Sequence, residues 1–424
     1  MTLTIEPDAL DFTGIIKPGD AVVWGQACGE PLTLVEALLD QRAALGPLSA
    51  FAGSSFSNVI KPEHADHVRF SSMGALGSLR SLAKAGVLDI IPCHVGQIGS
   101  MISQGLIGCD VAFVQVSAAD AKGYHSYGVI NDYVRKAVSE ARVVIAEVNA
   151  QVPYVPCDHM LHASEIDYIV HSDRPLVSVA PARIGDADRA TAALCAAYIE
   201  DGSILQFGIG AVPDAIAQLL VDRRDLGIHT GMIGDAFVDL VEAGAITNAT
   251  KTIDRGISIT GAFIGTSRLY DFVHQNAAVR LCGSETTHGD AILSALPKLV
   301  SINSAIEVDL TGQINAEAIG GAYMGGTGGQ VDYVRGASRS RGGRSIIALP
   351  STAQGGASSR IVIALSGPVT TARSEADVIV TEHGAAELKG VPLAERARRL
   401  IAIAHPDFRE GLERDAHDLL RKGY

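Results

Sequence analysis

Short apolar runs followed by amphipathic stretches recur along this chain. An apolar run at Ala21–Trp24 predicts a β-strand, and a glycine loop leads from it to a helix that we expect to open at Pro31. One face of that helix carries Leu32, Val35, Leu38 and Leu39. The pattern therefore predicts a strand, a tight turn and a packed helix, which is the building unit of α/β proteins.

The same succession returns half-way along the chain. Ile204–Phe207 predicts a strand, a glycine loop follows, and Pro213 begins a helix. The apolar face of this helix is expected at Ile216, Leu219 and Leu220. A unit that repeats at half the chain length predicts two similar α/β domains, which we place at residues 1–190 and 191–424.

More strands are predicted in the first half, at residues 89–92, 111–116 and 143–147, with helix-length stretches between them. This alternation is typical of open α/β domains with mainly parallel sheets. A polar, glycine-punctuated loop over residues 116–133 follows one of these strands. Open α/β sheets bind ligands at such strand ends, so this loop is either a ligand loop or an ordinary connection.

Composition narrows the possible partners. The chain has 424 residues, 47% hydrophobic content and a formal net charge of −13, which argues against nucleic-acid and acidic-membrane partners. The N-terminal residues are acidic where a signal or transit peptide would be basic, and no apolar run is long enough to span a bilayer. We therefore expect a cytoplasmic protein.

Neither a disulfide framework nor a metal site is predicted. The six cysteines show no C-x-x-C spacing. His159 and His162 have a spacing compatible with metal ligands, but no third ligand follows at a familiar distance. Most cysteines are expected to be small buried hydrophobic residues.

A glycine-rich stretch over residues 320–343 is the strongest candidate for anion binding. Gly325, Gly326, Gly328 and Gly329 flank Thr327, and such residues allow backbone N–H groups to approach an anion. The stretch lacks the lysine of a Walker A loop and the glycine spacing of a dinucleotide fingerprint. A flexible surface loop is the alternative, but the arginines between 335 and 344 favour anion recognition.

A second cluster surrounds Glu63, with Pro62 before it and His64, Asp66 and His67 after it. Proline at a helix start would place the Glu63 carboxylate near backbone N–H dipoles, with a histidine beside it. A solvated helix start explains the same residues without any chemistry. Both interpretations stay open.

Several short motifs follow one another in order along the chain. In the first half they are G-E-P at 29–31 and D-A-K-G-Y-H-S-Y-G at 120–128. In the second half they are G-I-G-A-V-P-D-A from Gly208, D-L-G-I-H-T from Asp225, S-I-N-S from Ser301, G-G-Q-V-D-Y-V-R-G-A from Gly328, P-S-T-A from Pro350 and V-T-E-H-G from Val380. Together these motifs resemble the acetyl-CoA hydrolase/transferase family, in its 4-hydroxybutyrate and butyrate:acetate CoA-transferase branch. The resemblance covers essentially the whole chain.

This resemblance implies a CoA-transferase that moves CoA between an acyl-CoA and a small mono- or dicarboxylate, with the active site in the cleft between two domains. Coenzyme A is then a substrate, and no cofactor is tightly bound. The resemblance also implies an oxyanion loop at Gly325, Gly326, Gly328 and Gly329, and a homodimer or larger oligomer. The residues it implies for CoA binding are Gly208, Gly210, Val212, Pro213, Asp214, Gln330 and Arg335.

One departure from the family concerns the nucleophile. The family carries a catalytic glutamate after the threonine of G-I-H-T, but here Thr230 is followed by Gly231. Glu63, Glu285 and Asp235 are the candidate replacements, in that order. Alternatively, Gly231 makes room for water or for direct attack by the acceptor, as in a thioesterase or a non-covalent transferase. The remaining alternative is a CoA-binding subunit without chemistry.

Overall fold

The computed structural model describes the backbone of residues 2–421 and the side chains of residues 2–417. The strands are β1 (Leu3–Ile5), β2 (Ala21–Trp24), β3 (Leu48–Ala52), β4 (Val68–Ser72), β5 (Leu88–Ile90), β6 (Val111–Val116), β7 (Tyr124–His125), β8 (Val143–Asn149), β9 (Leu161–His162), β10 (Tyr168–Ser172), β11 (Ile204–Phe207), β12 (Gly227–Thr230), β13 (Ser258–Thr260), β14 (Val279–Leu281), β15 (Leu299–Ser304), β16 (Glu307–Asp309), β17 (Ile314–Asn315), β18 (Ala318–Ile319), β19 (Ala322–Tyr323), β20 (Arg344–Ala348), β21 (Thr352–Ala353), β22 (Ser358–Ser359), β23 (Ile361–Val362), β24 (Val378–Thr381) and β25 (Gly384–Glu387).

The α-helices are α1 (Leu32–Leu45), α2 (Arg80–Lys84), α3 (Val95–Ser103), α4 (Val134–Glu140), α5 (Asp186–Ala196), α6 (Ala211–Leu219), α7 (Ala236–Glu242), α8 (Ser267–Val273), α9 (Ser284–Thr287), α10 (Asp290–Ala295), α11 (Gln330–Arg339), α12 (Leu393–Ile403) and α13 (Pro406–Arg421). Short 3-10 helices lie at Pro7–Ala9, Pro62–Asp66, Ala163–Glu165 and Gln354–Gly356. Among the described residues, no helix is long and apolar enough to cross a membrane.

The chain forms two compact units that are not continuous in sequence. The first contains residues 1–180, 231–235 and 257–289, and the second contains 181–230, 236–256 and 290–424. Residue 190 lies inside α5, in the second unit. The compact units therefore divide the chain differently from the predicted boundary. The division into domains at 1–190 and 191–424 stays a prediction.

The first unit is built on a sheet with the strand order β1-β10-β8-β6-β2-β3-β4-β5, in which all neighbouring strands are parallel. The apolar face of α1 packs into the core of this unit, where Leu34, Val35 and Leu38 have no solvent exposure. The predicted strand at 89–92 is displaced, because β5 ends at Ile90 and Pro92 lacks an N–H donor for the ladder.

In the second unit six strands lie side by side in the order β12-β11-β15-β20-β24-β25. They are parallel except for β25, which pairs antiparallel with β24. The prediction for Leu219 was wrong, because this residue ends α6 and is half exposed, while Ile216 and Leu220 are buried. With mainly parallel sheets in both units, the predicted α/β fold class is confirmed.

Candidate functional site

Three loops meet at one edge of the sheet in the second unit. Strands β11, β15 and β20 are parallel neighbours, so their carboxyl ends lie at the same edge. Helix α6 starts immediately after β11, and α11 connects back to β20, so both helices begin at this edge. Open α/β sheets bind ligands at such carboxyl ends, where helix N-termini also attract anions.

The loop between β11 and α6 depends on glycine at residue 210. Gly210 has φ of 121°, which side chains rarely adopt, and it caps the N-terminus of α6. Asp214 donates its N–H to the Gly210 carbonyl at 3.0 Å, which closes the first helical turn. The positions predicted to lie along CoA therefore form a turn that exposes the start of a helix.

A cavity of about 300 Å³ opens beside this loop. Its walls come from residues 208–213, residues 302–304 at the end of β15, Ala348 and Pro350 after β20, and Asp188 of α5. The predicted CoA-binding residues Gly208, Gly210, Val212 and Pro213 all line it. The structure thus brings four of the sequence candidates to one cavity.

The glycine-rich loop leads directly into α11, which begins at Gln330 with Gly329 as its N-cap. A Cβ at residue 325 would lie 2.4 Å from the Ala316 carbonyl oxygen, so only glycine fits there. The Gly325 N–H donates to the Glu317 carbonyl at 3.0 Å. Gly325 is therefore needed for close packing, and its own N–H is already used.

Unlike Gly325, Gly328 and Gly329 have backbone N–H groups that are not used in hydrogen bonds within the described residues. Gly328 has φ of 56°, and a Cβ there would meet nothing within 4 Å. These two N–H groups, at the start of a ten-residue helix, could donate to an oxyanion.

Gln330 and Arg335 already have protein partners. Gln330 is buried and donates its Nε2 to Thr371 Oγ1 at 3.0 Å. Arg335 lies on α11 with its Nε 2.5 Å from Glu375. The nearby Arg344 pairs with Asp377 in the same way. The roles of Gln330 and Arg335 in CoA binding stay predictions.

The candidate carboxylates of the first unit have different surroundings. Glu63 is exposed on a 3-10 helix of five residues that precedes β4, so it lies at the amino end of that strand. Burial lowers the pKa of the neighbouring His64, whose Nδ1 accepts the Lys61 N–H at 3.2 Å. Glu63 thus lies at a strand start, away from the carboxyl ends where such sheets bind ligands.

The other two candidate carboxylates, Asp235 and Glu285, contact neighbouring residues of the protein. Asp235 accepts hydrogen bonds from the N–H and the hydroxyl of Thr266, at 3.0 and 2.7 Å, next to the first residue of α8. Glu285 is half exposed, and its carboxylate lies 3.6 Å from Lys136 Nζ. Both contacts fit structural roles.

The sequence analysis missed two buried acidic residues, Glu30 and Asp132. Burial raises the pKa of Glu30, whose Oε2 accepts the N–H groups of Phe56 and Ser57 at 3.2 and 3.1 Å. Its Oε1 has no hydrogen-bond partner among the described residues. Burial also raises the pKa of Asp132 to about 6, while Gln26 Nε2 and the Tyr133 N–H donate to it. The G-E-P motif was the only sequence signal for Glu30.

The polar loop after β6 forms a compact turn around Asp120. The Oδ1 of this residue accepts the N–H groups of Lys122 and Tyr124, and Oδ2 accepts the hydroxyl of Tyr154 at 3.1 Å. These bonds fit a structural connection, and ligand binding by this loop stays a prediction. Within the described residues, no group of three His, Cys, Asp or Glu side chains could hold a metal ion.

Comparison with known proteins identifies the family. Residues 8–181 match the model of the acetyl-CoA hydrolase/transferase N-terminal domain, and residues 265–416 match that of the C-terminal domain. The chain belongs to the acetyl-CoA hydrolase/transferase family. The C-terminal match includes the glycine-rich loop, whereas the 208–214 loop and Gly231 lie between the two matched ranges.

Several known proteins resemble the chain along nearly its full length. A 4-hydroxybutyrate coenzyme A transferase of Clostridium kluyveri is 42% identical, over 94% of both chains. A butyryl-CoA:acetate CoA-transferase of Anaerostipes caccae is 35% identical, over 95% of this chain and 93% of its own length. The crystal structure of RipA from Yersinia pestis has a TM-score of 0.93 and 34% identity, covering 98% of this chain and 97% of that one.

Proposed function

We propose that this protein is a CoA-transferase that moves CoA between an acyl-CoA and a small mono- or dicarboxylate of the acetate, butyrate, 4-hydroxybutyrate, succinate or itaconate class. The observation that carries the proposal is the similarity, over about 94% of the chain, to relatives whose names are those of CoA-transferases. The cavity beside the N-terminus of α6 supports it, because CoA combines a slender chain with anionic phosphates. We also propose that it is cytoplasmic and, as the family resemblance implies, forms a homodimer or higher homo-oligomer.

The proposed division of roles follows the geometry of the second unit. Gly208, Gly210, Val212 and Pro213 would contact CoA in the cavity that they line. The N–H groups of Gly328 and Gly329 would stabilise the oxyanion that forms when the thioester carbonyl is attacked. Gly325 and Gly326 would shape that loop, and Gly325 does so by its contact with residue 316.

For the nucleophile, we propose that Gly231 stands where the family has its glutamate, and that Glu63 replaces it. The Glu63 carboxylate would attack the acyl-CoA carbonyl and expel CoA thiolate, which leaves a mixed anhydride. The thiolate would then attack the glutamyl carbonyl and release the acyl group as a carboxylate. The acceptor carboxylate would next attack the glutamyl-CoA thioester, form a new anhydride and expel the thiolate. Attack of that thiolate on the acceptor's carbonyl would give the new acyl-CoA and regenerate Glu63.

A second candidate is direct attack by water or by the acceptor carboxylate. The missing side chain at Gly231 favours it, because a glycine leaves space where a nucleophile would otherwise stand. The exposed position of Glu63 at the amino end of a strand also favours it. With water as the attacking group the protein would be an acyl-CoA thioesterase. A non-catalytic CoA-binding subunit is the remaining alternative.

Trapping of the thioester separates these alternatives. The protein is incubated with acyl-CoA and no acceptor, then treated with borohydride, and the reduced residue is located by peptide mass. The covalent proposal expects the label on Glu63, with labelling and CoA exchange lost in Glu63→Gln. Glu6→Gln, at another exposed glutamate of the first unit, is the matched control and should behave as the unaltered protein.

The other outcomes each point to one alternative. Label on Glu285 or Asp235 would keep the covalent mechanism and move its nucleophile. No label, with steady release of CoA into water, would indicate a thioesterase. No label, with exchange only when a carboxylate is present, would indicate direct transfer. No label and no turnover with a broad set of carboxylates would indicate a CoA-binding subunit.

A further inference from the structure

A serine and a glutamate lie together at the carboxyl ends of two neighbouring strands. Strands β20 and β24 are parallel, with Ala348 opposite Val380, so the residues that follow them leave the sheet at the same edge. The Glu382 carboxylate accepts two hydrogen bonds from Ser351, one from its N–H at 2.8 Å and one from its hydroxyl at 2.5 Å. Ser351 has no solvent exposure. One carboxylate thus holds both donors of this residue.

Arg360 holds the same segment from another direction. Its backbone N–H donates to the Ser351 carbonyl at 2.9 Å, and its Nε donates to the Thr352 carbonyl at 3.2 Å. Its Nη1 lies 3.3 Å from the Ala305 carbonyl, just beyond β15. A single guanidinium therefore ties the segment after β20 to the end of β15.

This segment forms part of the cavity wall. Ala348 and Pro350 line the cavity from one side, and Ser304 at the end of β15 lines it from another. Pro350 has no N–H, so no backbone donor of its own can fix its position. The position of this part of the wall therefore depends on the residues on either side. Leu349 donates its N–H to the Val380 carbonyl at 3.0 Å, and Ser351 is held by the groups described above.

We infer that Glu382 and Arg360 are positioning residues for acyl-CoA binding, which fix the Pro350 wall of the cavity from behind. This inference rests on the proposed function, and it gives a role to the P-S-T-A and V-T-E-H-G motifs. Ser351 and Glu382 bond to each other, while Pro350 is the residue that faces the ligand space. The effect is on where the ligand binds, and the reacting atoms are elsewhere.

The charge state of Glu382 fits this role. Burial raises the pKa of its carboxyl group, but hydrogen bonds, chiefly those from Ser351, and the neighbouring His383 together outweigh burial and bring the pKa below its ordinary value. A charged carboxylate accepts both Ser351 donors more strongly than a neutral amide would. Glu382→Gln keeps the shape of the side chain but places an NH₂ group opposite one of the two donors.

The test measures CoA affinity and steady-state kinetics in Glu382→Gln and Arg360→Lys. The lysine keeps the charge but loses the fork that reaches Thr352 and Ala305. Both variants should raise the Kd of CoA and the KM of acyl-CoA by about tenfold, with kcat and the KM of the carboxylate changed less than about twofold. Ser359→Ala is the control, because Ser359 directly precedes Arg360 and its hydroxyl donates to the Ile361 carbonyl.

Three results would overturn the inference. The first is an unchanged Kd of CoA in both variants, with the unaltered protein binding CoA normally. The second is an equal change in kcat and in both KM values, accompanied by a lower melting temperature, which is what a purely structural role predicts. If Glu382→Gln does not fold, Ser351→Ala provides the test, because it removes the hydroxyl and keeps the N–H bond to Glu382. An unchanged Kd of CoA in Ser351→Ala is the third result.

The failure of the proposed function itself would look different. In that case the unaltered protein would neither bind CoA nor exchange it. An unaltered protein that binds and exchanges CoA, beside variants with normal affinity, would overturn the inference alone.

Discussion

Gly328 allows the proposed oxyanion loop to be tested without a steric clash. A Cβ at this position would meet nothing within 4 Å, so any effect of a side chain comes from the backbone angle. That angle, φ of 56°, lies in the left-handed region, which asparagine tolerates and valine does not. Gly328→Val should therefore move the loop, and Gly328→Asn should leave it in place.

The size of the effect follows from the donors at stake. A left-handed conformation costs a residue with a side chain roughly 1–2 kcal/mol, and a β-branched residue more, so the valine loop relaxes to another conformation. The relaxed loop would withdraw at least the N–H group of residue 328 from the ligand. Loss of one oxyanion donor lowers kcat by about 10²- to 10³-fold. For Gly328→Asn we expect a kcat within about threefold of the original.

The assay is CoA exchange between an acyl-CoA and acetate, with kcat and both KM values measured for the two variants. The Kd of CoA is measured separately, because the proposal places the defect in the transition state and leaves CoA affinity largely unchanged. Two results would refute the reasoning. One is a normal kcat in the valine variant, and the other is an equal loss of kcat in both variants.

Three further predictions concern binding, stability and the nucleophile. Acyl-CoA at about 100 times its Kd should stabilise the folded protein by about 2.7 kcal/mol, seen as a higher melting temperature; no change with acetyl-CoA or succinyl-CoA would contradict CoA binding. Burial raises the pKa of Asp132 from 3.8 to about 6, so between these pH values the folded state binds a proton that the unfolded state has lost. The free energy of unfolding should therefore fall by about 3 kcal/mol as pH rises from 4 through 6. Urea unfolding at several pH values should show this slope, and Asp132→Asn should lose it; equal slopes would contradict the assignment. Gly231→Glu should form a trappable thioester at residue 231 and Gly231→Gln should not, whereas a label that stays on Glu63 alone would show that residue 231 is out of reach.

Much of the local structure could be predicted from the sequence. The strands at Ala21–Trp24, Ile204–Phe207 and Val111–Val116 have the predicted bounds, because buried parallel strands are continuous apolar runs between turn residues. The predicted apolar face of α1 is buried, as expected from the spacing of its residues Leu32, Val35, Leu38 and Leu39 along that helix. The family motifs were recognisable because they are short and local. The glycine-rich loops were also recognisable, because their glycines are close together in the sequence.

Tertiary structure decided the rest, because it depends on which distant residues become neighbours. Leu219 seemed to belong to the apolar face of α6, but the helix ends there and the side chain is half exposed. The raised pKa values of Glu30 and Asp132 come from burial, which no spacing in the sequence reveals. Ser351 and Glu382 are 31 residues apart, and only the parallel pairing of β20 and β24 brings the hydroxyl to the carboxylate. The sequence determines which residues can form a strand, a turn or an anion loop, while the order of the strands determines which of them act together.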